Sequence, residues 1–415
     1  MKLAAIEWEE LTWGKSMAGR MVGRTGPWPG QLVTWLTRLA PSLARLAPAL
    51  TRLVTGSARL VTWLGATTLL ITGTAFAERH ETAATPPADG KVFGIAYVGR
   101  MVADLDKSIP FYEAIGLTRD PSVDSSWRRD EALNHLFGIK GARFRTAKLT
   151  VNSNISGKPF TVYLHELQGI KRIKVGGYPP WEPGASHFGL VVPDAALVWS
   201  QLKACGMLRA RSWGGELIPF PGETKGALAY MTDPDGLDIE IINQRPATPA
   251  QEGRPARPAL LPGLSHAGLV ILDADKAKAF YGNLLGGQLV ETNSPWMQGD
   301  FTDSAVGGHG NILRFFNESF AEAADPHSMM HFELVEFQNR KKPVAAYGIA
   351  DIAVGYVGFE VQGIDALLAR ARDAGARVVS EGGVVKLNDK SRAVLIRDPD
   401  VGGFVELFER PGRER

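Results

Sequence analysis

A fourfold internal repeat constrains this chain more than any other feature of its 415 residues. Strand-like runs begin at Tyr97 (YVGRMVADLD), His187 (HFGLVVPDAA), His266 (HAGLVILDAD) and Tyr356 (YVGFEVQGID). An Asp follows seven positions later in three copies, at Asp104, Asp194 and Asp273. A glycine follows at 19, 19, 20 and 19 positions, at Gly116, Gly206, Gly286 and Gly375. Between them the apolar spacing predicts helices over Leu105–Ile115, Ala195–Cys205, Ala274–Leu285 and Ile364–Ala374. The Asp suits the helix entry, where it accepts hydrogen bonds from free backbone N–H groups, and the glycine suits a left-handed exit. Further strands are expected at Phe144–Val151, Phe160–Leu167, Gly226–Met231, Leu237–Ile242, Ile312–Phe316, Met330–Phe337, Ala393–Arg397 and Phe404–Glu409. Asp-Pro-Asp turns precede the last strand of the second and fourth copies. Each unit therefore reads β-α-β-β-β.

Composition narrows the partners. A net charge of +2, with no basic stretch in the folded region, disfavours nucleic acid. The single cysteine, Cys205, forms no intrachain disulfide and reads as a small buried hydrophobe on a helix. Leu60–Ala77 follows Arg59 and ends in Ala75-Phe76-Ala77, the pattern of an exported protein's signal peptide. The mature chain is therefore expected in the periplasm or outside the cell, with no integral membrane span. Residues 1–77 read as leader and signal peptide, 78–90 as a disordered spacer, and 244–262 as a Pro-rich linker. The linker divides the remainder into 91–243 and 263–411, two modules each.

The His/Tyr-x-Gly starts, the VADLDKSIPFY run at Val102–Tyr112, the DADKAKAFY run at Asp273–Tyr281 and the DPDGLDIE stretch at Asp233–Glu240 resemble the vicinal oxygen chelate superfamily. That superfamily contains glyoxalases, bleomycin-resistance-like proteins and extradiol dioxygenases, and the resemblance covers residues 91–411. It implies an α+β fold in which four βαβββ modules pair into two incomplete β-barrels with helices outside. It also implies metal ligands at the start of each first strand and on each last strand. Carried over, these positions are Tyr97 and Tyr163, His187 and Glu240, His266 and Glu333, and Tyr356 and Glu406, with Glu336 a rival to Glu333.

Module pairing decides what those residues make. Neighbour pairing puts His187 and Glu240 with two tyrosines in one barrel, and His266, Glu333, Tyr356 and Glu406 in the other. Crossed pairing, second with third and first with fourth, unites His187, Glu240, His266 and Glu333 and leaves a degenerate site of Tyr97, Tyr163, Tyr356 and Glu406. The implied cofactor is a divalent metal (Zn, Ni, Fe or Mn). The implied activity is that of a glyoxalase-like lyase or isomerase acting on a small molecule with vicinal oxygens, with Glu240 or Glu333 as general base. Two alternatives stand beside it: an extradiol-type dioxygenase cleaving a catechol or hydroquinone, and a non-enzymatic small-molecule binder. Trp181, Trp213, Phe220 and Trp296 are candidates for a barrel mouth or for core and rim. His165 and His309 read as loop or edge residues.

Overall fold

The sheets are crossed. In the computed structural model, strands from the two halves of the chain alternate between two curled sheets. The structure describes residues 90–152, 159–175, 178–221, 226–247, 249, 259–284, 287–289, 295–320, 331–338, 340 and 347–412. The expected leader, signal peptide and nearly all of the spacer lie outside these. Among the described residues no helix is long and apolar enough to cross a membrane.

The first module contributes β1 (Lys91–Val102), α1 (Leu105–Ala114), β2 (Arg143–Asn152) and β3 (Pro159–Gln168). The second contributes β4 (Ser186–Val192), α2 (Ala195–Ala204), β5 (Ala227–Thr232) and β6 (Asp238–Asn243). The third has β7 (Gly263–Ile271), a helix α3 that starts at Ala274–Ala277 and continues as a π-helix over Lys278–Leu284, then β8 (Ile312–Phe320) and β9 (His331–Phe337). The fourth has β10 (Val354–Gln362), α4 (Ile364–Asp373), β11 (Arg392–Arg397) and β12 (Phe404–Glu409). Sheet one runs β11-β12-β10-β1-β3-β2 and sheet two β8-β9-β7-β4-β6-β5, each extended by short edge strands. In every module the first strand lies parallel to the last, and the modules join through antiparallel pairs of first strands, β1 with β10 and β4 with β7.

The repeat residues do local work. Asp104 accepts from the amides of Asp106 and Lys107, Asp194 from Leu197, and Asp273 from Asp275 and Lys276, so each caps its helix. The fourth module has Gly363 in that place, and Glu409 on β12 supplies the acceptor instead, at 2.6 Å from the Gly363 amide. Gly116, Gly206 and Gly375 end their helices at φ of 106°, 67° and 87°, where a side chain would be strained.

The His/Tyr-x-Gly motif has a steric cause. In the β4–β7 register His187 lies opposite Gly268 and His266 opposite Gly189. A Cβ on Gly268 would stand 2.0 Å from the His187 ring, and one on Gly189 2.1 Å from His266. In sheet one the Tyr356 ring covers Gly99 and the Tyr97 ring covers Gly358, at 2.0 and 2.3 Å by the same measure. Each glycine is the floor on which the partner module's ring lies.

One apolar core spans the backs of both sheets and the helices, through residues such as Val102, Tyr112, Phe188, Ile241, Leu269, Phe332, Phe359 and Leu407. The interior of sheet one is filled by a second cluster that includes Tyr97, Phe137, Phe144, Tyr356 and Phe404. Among the described residues, sheet two holds smaller clusters, around Val191 and Ile242 and around Val270 and Phe337. Sheet two thus keeps an open interior.

A buried polar tie joins the sheets. Asp233, fully buried, closes its turn by accepting from the amides of Asp235, Gly236 and Leu237. Its other oxygen accepts from Tyr112 Oη on α1 at 2.8 Å and lies 3.8 Å from Arg100. Arg100 also donates to the Asp238 carbonyl and stacks over Phe188. Removing the carboxylate strands a buried guanidinium, whereas removing the phenol loses one hydrogen bond. Asp233→Ala is therefore expected to cost about 3 kcal/mol or more, against about 1 kcal/mol for Tyr112→Phe. Urea unfolding of the two variants checks the order; equal losses would contradict it.

Candidate metal centre

Inside sheet two, four side chains from two modules meet. His187 at the start of β4 and His266 on β7 face each other with their Nε2 atoms 3.1 Å apart. Glu333 on β9 reaches His187 Nε2 at 3.2 Å and His266 Nε2 at 3.8 Å. Glu240 on β6 reaches His266 Nε2 at 3.0 Å. The register explains the convergence: Glu240 stands opposite Gly189 and Glu333 opposite Gly268, so each carboxylate flanks a glycine floored under a histidine. Both histidines and Glu240 are buried, and Glu333 is the most open, at 16% of its side chain. Burial pushes the His266 imidazole down, but Glu333 and Glu240 outweigh it and hold its pKa above the ordinary value.

The donor chemistry fits a divalent cation. Donor atoms of His187, His266 and Glu333 all lie within 4.8 Å of one another, and two imidazoles with carboxylate form a borderline donor set. Two imidazole nitrogens at 3.1 Å share at most one proton between them, so a cation there would satisfy both.

Tyr230 is a fifth member that the sequence reading missed. Its Oη lies 3.4 Å from both His187 Nε2 and Glu240 Oε2, and burial followed by the Glu240 charge raises its pKa well above 10. Tyr230 and Glu240 are cross-strand partners in the hairpin around the Asp233 turn, so counting outward from that turn would have found it. A cavity of about 130 Å³ opens over the centre, lined by Tyr230, Phe301, Phe315, Val335 and Phe337 among others.

Cys205 and His165 depart from expectation, whereas Trp181, Trp213, Phe220 and Trp296 take the core or rim places that were one of their two readings and do not line this cavity. Phe220 packs on Phe301, Trp213 stacks on His309 at 4.4 Å, and Trp296 lies exposed under Arg314. Glu336 faces the other side of β9, bound to Arg314 at 2.6 Å. Cys205 is exposed at its helix end, because that position falls off the apolar face. His165, expected in a loop or at an edge, is buried within sheet one.

His165 belongs to the equivalent place in sheet one. There Tyr97 Oη donates to Glu406 Oε1 at 2.5 Å, and His165 Nε2 meets Tyr356 Oη at 3.0 Å. Tyr163 occupies the register position of Glu240, and its ring stands edge-on to Tyr97 at 5.2 Å. Burial raises the Tyr97, Tyr163 and Tyr356 phenols, so they are neutral, and it pushes Glu406 up to about 7 against the Tyr97 hydrogen bond. Burial also drives His165 down to about 3. This set suits proton sharing among neutral groups and is a poor cage for a cation.

Residues 265–394 match the family model described as the Glyoxalase/Bleomycin resistance protein/Dioxygenase superfamily. Among solved structures, a glyoxalase I variant from Zea mays is similar at 18% identity and a TM-score of 0.50, covering 77% of this chain and 92% of that one. A protein titled a putative dioxygenase from Bacillus subtilis is similar at 16% identity and a TM-score of 0.45, covering 77% and 86%. The Mn(II)-bound glyoxalase from Novosphingobium aromaticivorans is similar at 14% identity and a TM-score of 0.24, covering 78% and 84%. At 18% identity the likeness to the Zea mays structure is one of fold. No curated protein sequence is significantly similar to the chain.

The Glu406 carboxyl sets a pH dependence. The unfolded group loses its proton near 4.5 and the folded group near 7. The stability of the neutral form is therefore present below the lower value and is lost as pH rises through the upper one. His165, held neutral, acts oppositely, losing stability as pH falls below 6.5. The informative quantity is the difference between variants. Relative to the unaltered chain, Glu406→Gln should gain on the order of 3 kcal/mol in unfolding free energy across that window and level off above it. A pH-independent difference in urea titrations would contradict the assignment.

Proposed function

We propose that this chain, a member of the vicinal oxygen chelate superfamily by its fold and by the match of residues 265–394, is a divalent-metal-dependent lyase or isomerase acting on a small molecule with vicinal oxygens. The convergence of His187, His266, Glu240 and Glu333 from four strands of two modules carries this reading. The metal would be held by the two histidines with Glu240 and Glu333, and when bound it supplies a Lewis acid for adjacent substrate oxygens.

The chain's own groups divide the remaining work. Glu240 contacts both His266 and Tyr230, which fixes its orientation. Glu333 is the more open carboxylate, 16% against 9%, and lines the cavity, so it is placed to take a proton from substrate carbon. The apolar walls from Phe301, Phe315, Val335 and Phe337 limit the water around the reacting groups.

A second reading has its own observation. The tightest donor group, His187, His266 and Glu333, is two histidines and one carboxylate, the set used by non-haem Fe(II) oxygenases. The discriminating experiment offers metal-loaded protein α-hydroxycarbonyl compounds in deuterated solvent and, separately, catechols with an oxygen electrode. The lyase or isomerase reading expects deuterium at substrate carbon, reduced about 100-fold or more per bound metal ion in Glu333→Gln. Oxygen uptake with catechols would transfer the assignment to the dioxygenase. Neither activity, with ligand still bound, would leave a binding protein and refute the catalytic proposal.

A further inference from the structure

The cavity over the metal centre restricts what can enter it. At about 130 Å³ it is close to the ~150 Å³ that holds one benzene ring. Leu228, Val270, Met297, Leu313 and Val335 form its walls with three phenylalanine rings, and no Lys or Arg stands among its described lining residues. Arg314 and Arg340, close in sequence to the walls, are engaged elsewhere, on Glu336 and on Asn311. The acidic side chains that do line the space are Glu240 and Glu333. An anionic substrate body would be desolvated against apolar walls with no basic side chain to meet it.

Beyond the donor cluster and Tyr230, the described lining has one polar side chain, Thr302. It is 8% exposed, and its hydroxyl has no hydrogen-bond partner among the described residues. Ser304 in the same helix satisfies its own hydroxyl on the Asp300 carbonyl. A buried hydroxyl without such a bond calls for a partner in the cavity it lines.

The helix that carries Thr302, Asp300–Val306, is pinned from two sides. Ser212 Oγ donates to the Ala305 carbonyl at 2.6 Å and accepts from the Tyr230 amide at 2.9 Å, which ties the helix to the strand bearing Tyr230. The Asp303 carboxylate accepts from the Gly310 and Asn311 amides at 2.7 and 2.8 Å. The place of Thr302 is thereby preset.

We propose that Thr302 determines specificity at the metal centre: its hydroxyl hydrogen-bonds a neutral polar group on a substrate body of about one ring, and anionic bodies are rejected. The inference rests on the reading that the centre holds a metal and, through it, vicinal oxygens. It adds the class of compound, an uncharged single-ring or short branched molecule with one hydroxyl or carbonyl beyond those two oxygens. A site that hydrogen-bonds a substrate group rejects the analogue lacking it far better than apolar contact does.

Benzohydroxamate, one ring with two adjacent chelating oxygens, and its hydroxy and carboxy ring isomers test this by calorimetric titration into zinc-loaded full-length protein. At least one hydroxy isomer is expected to bind at least ~10-fold tighter than the parent, and every carboxy isomer at least ~10-fold weaker. Thr302→Val, which keeps the shape and removes the hydroxyl, should erase the hydroxy preference, and Thr302→Ser should retain it. Thr302→Ala gives the same reading if the valine variant fails to fold. A preference unchanged in Thr302→Val, no preferred hydroxy isomer, or carboxy isomers bound as well as the parent would each overturn the proposal. A parent probe that binds no better with zinc than without it would instead refute the metal reading beneath it, and the proposal with it.

Discussion

The antiparallel zipper between β4 and β7 is the constraint on which the rest depends. Its register sets His187 over Gly268 and His266 over Gly189, so two rings from modules 79 positions apart in sequence meet at 3.1 Å. Parallel pairing of each first strand with its module's last strand then brings Glu240 and Glu333 to the same place. A slip of one residue in any of these ladders would turn the side chains to the opposite face and scatter the cluster. The site is therefore a property of strand register, held by glycines that permit close ring-to-backbone approach.

The two barrels share that backbone logic and differ in what fills it. In sheet one, tyrosines replace both histidines, His165 joins Tyr356, and aromatic rings occupy the space that sheet two leaves open. The substitution exchanges a converging set of imidazole and carboxylate donors for a dry cluster of neutral phenols around one carboxyl. Two equivalent folds thus carry different sets of donor groups, a difference of side chains rather than of architecture.

Much of this was legible in sequence because the repeat exposes equivalent positions. Asp104, Asp194 and Asp273 stand where helices begin, and most later strands fall within a residue of their expected limits, although the one expected at Ile312–Phe316 runs on to Phe320. His187, His266, Glu240 and Glu333 could be nominated because a histidine at a repeated strand start is rare among eight in the chain. Crossed pairing could not be decided, since it depends on how the linker lets distant strands meet. Tyr230 stayed hidden because its role follows from hairpin register, and Tyr at that position recurs in no other module. Whether Trp181, Trp213, Phe220 and Trp296 belonged to the mouth or to core and rim was open for a related reason: the cavity is lined by alternate residues of β8 and β9 and by Phe301, which local composition does not distinguish from core. His165 was misread because a polar residue in an aromatic strand looks the same whether it lies at an edge or pairs with a distant tyrosine.

The claim that one cation is shared across the β4–β7 pair is tested most directly by metal stoichiometry. Protein purified without added metal, then loaded and desalted, should hold one divalent ion per chain. His187→Ala and His266→Ala should each lose that whole equivalent, while Tyr97→Phe, in the other barrel, should keep it. Partial and independent losses from the two histidine variants, or full retention in either, would contradict a shared centre.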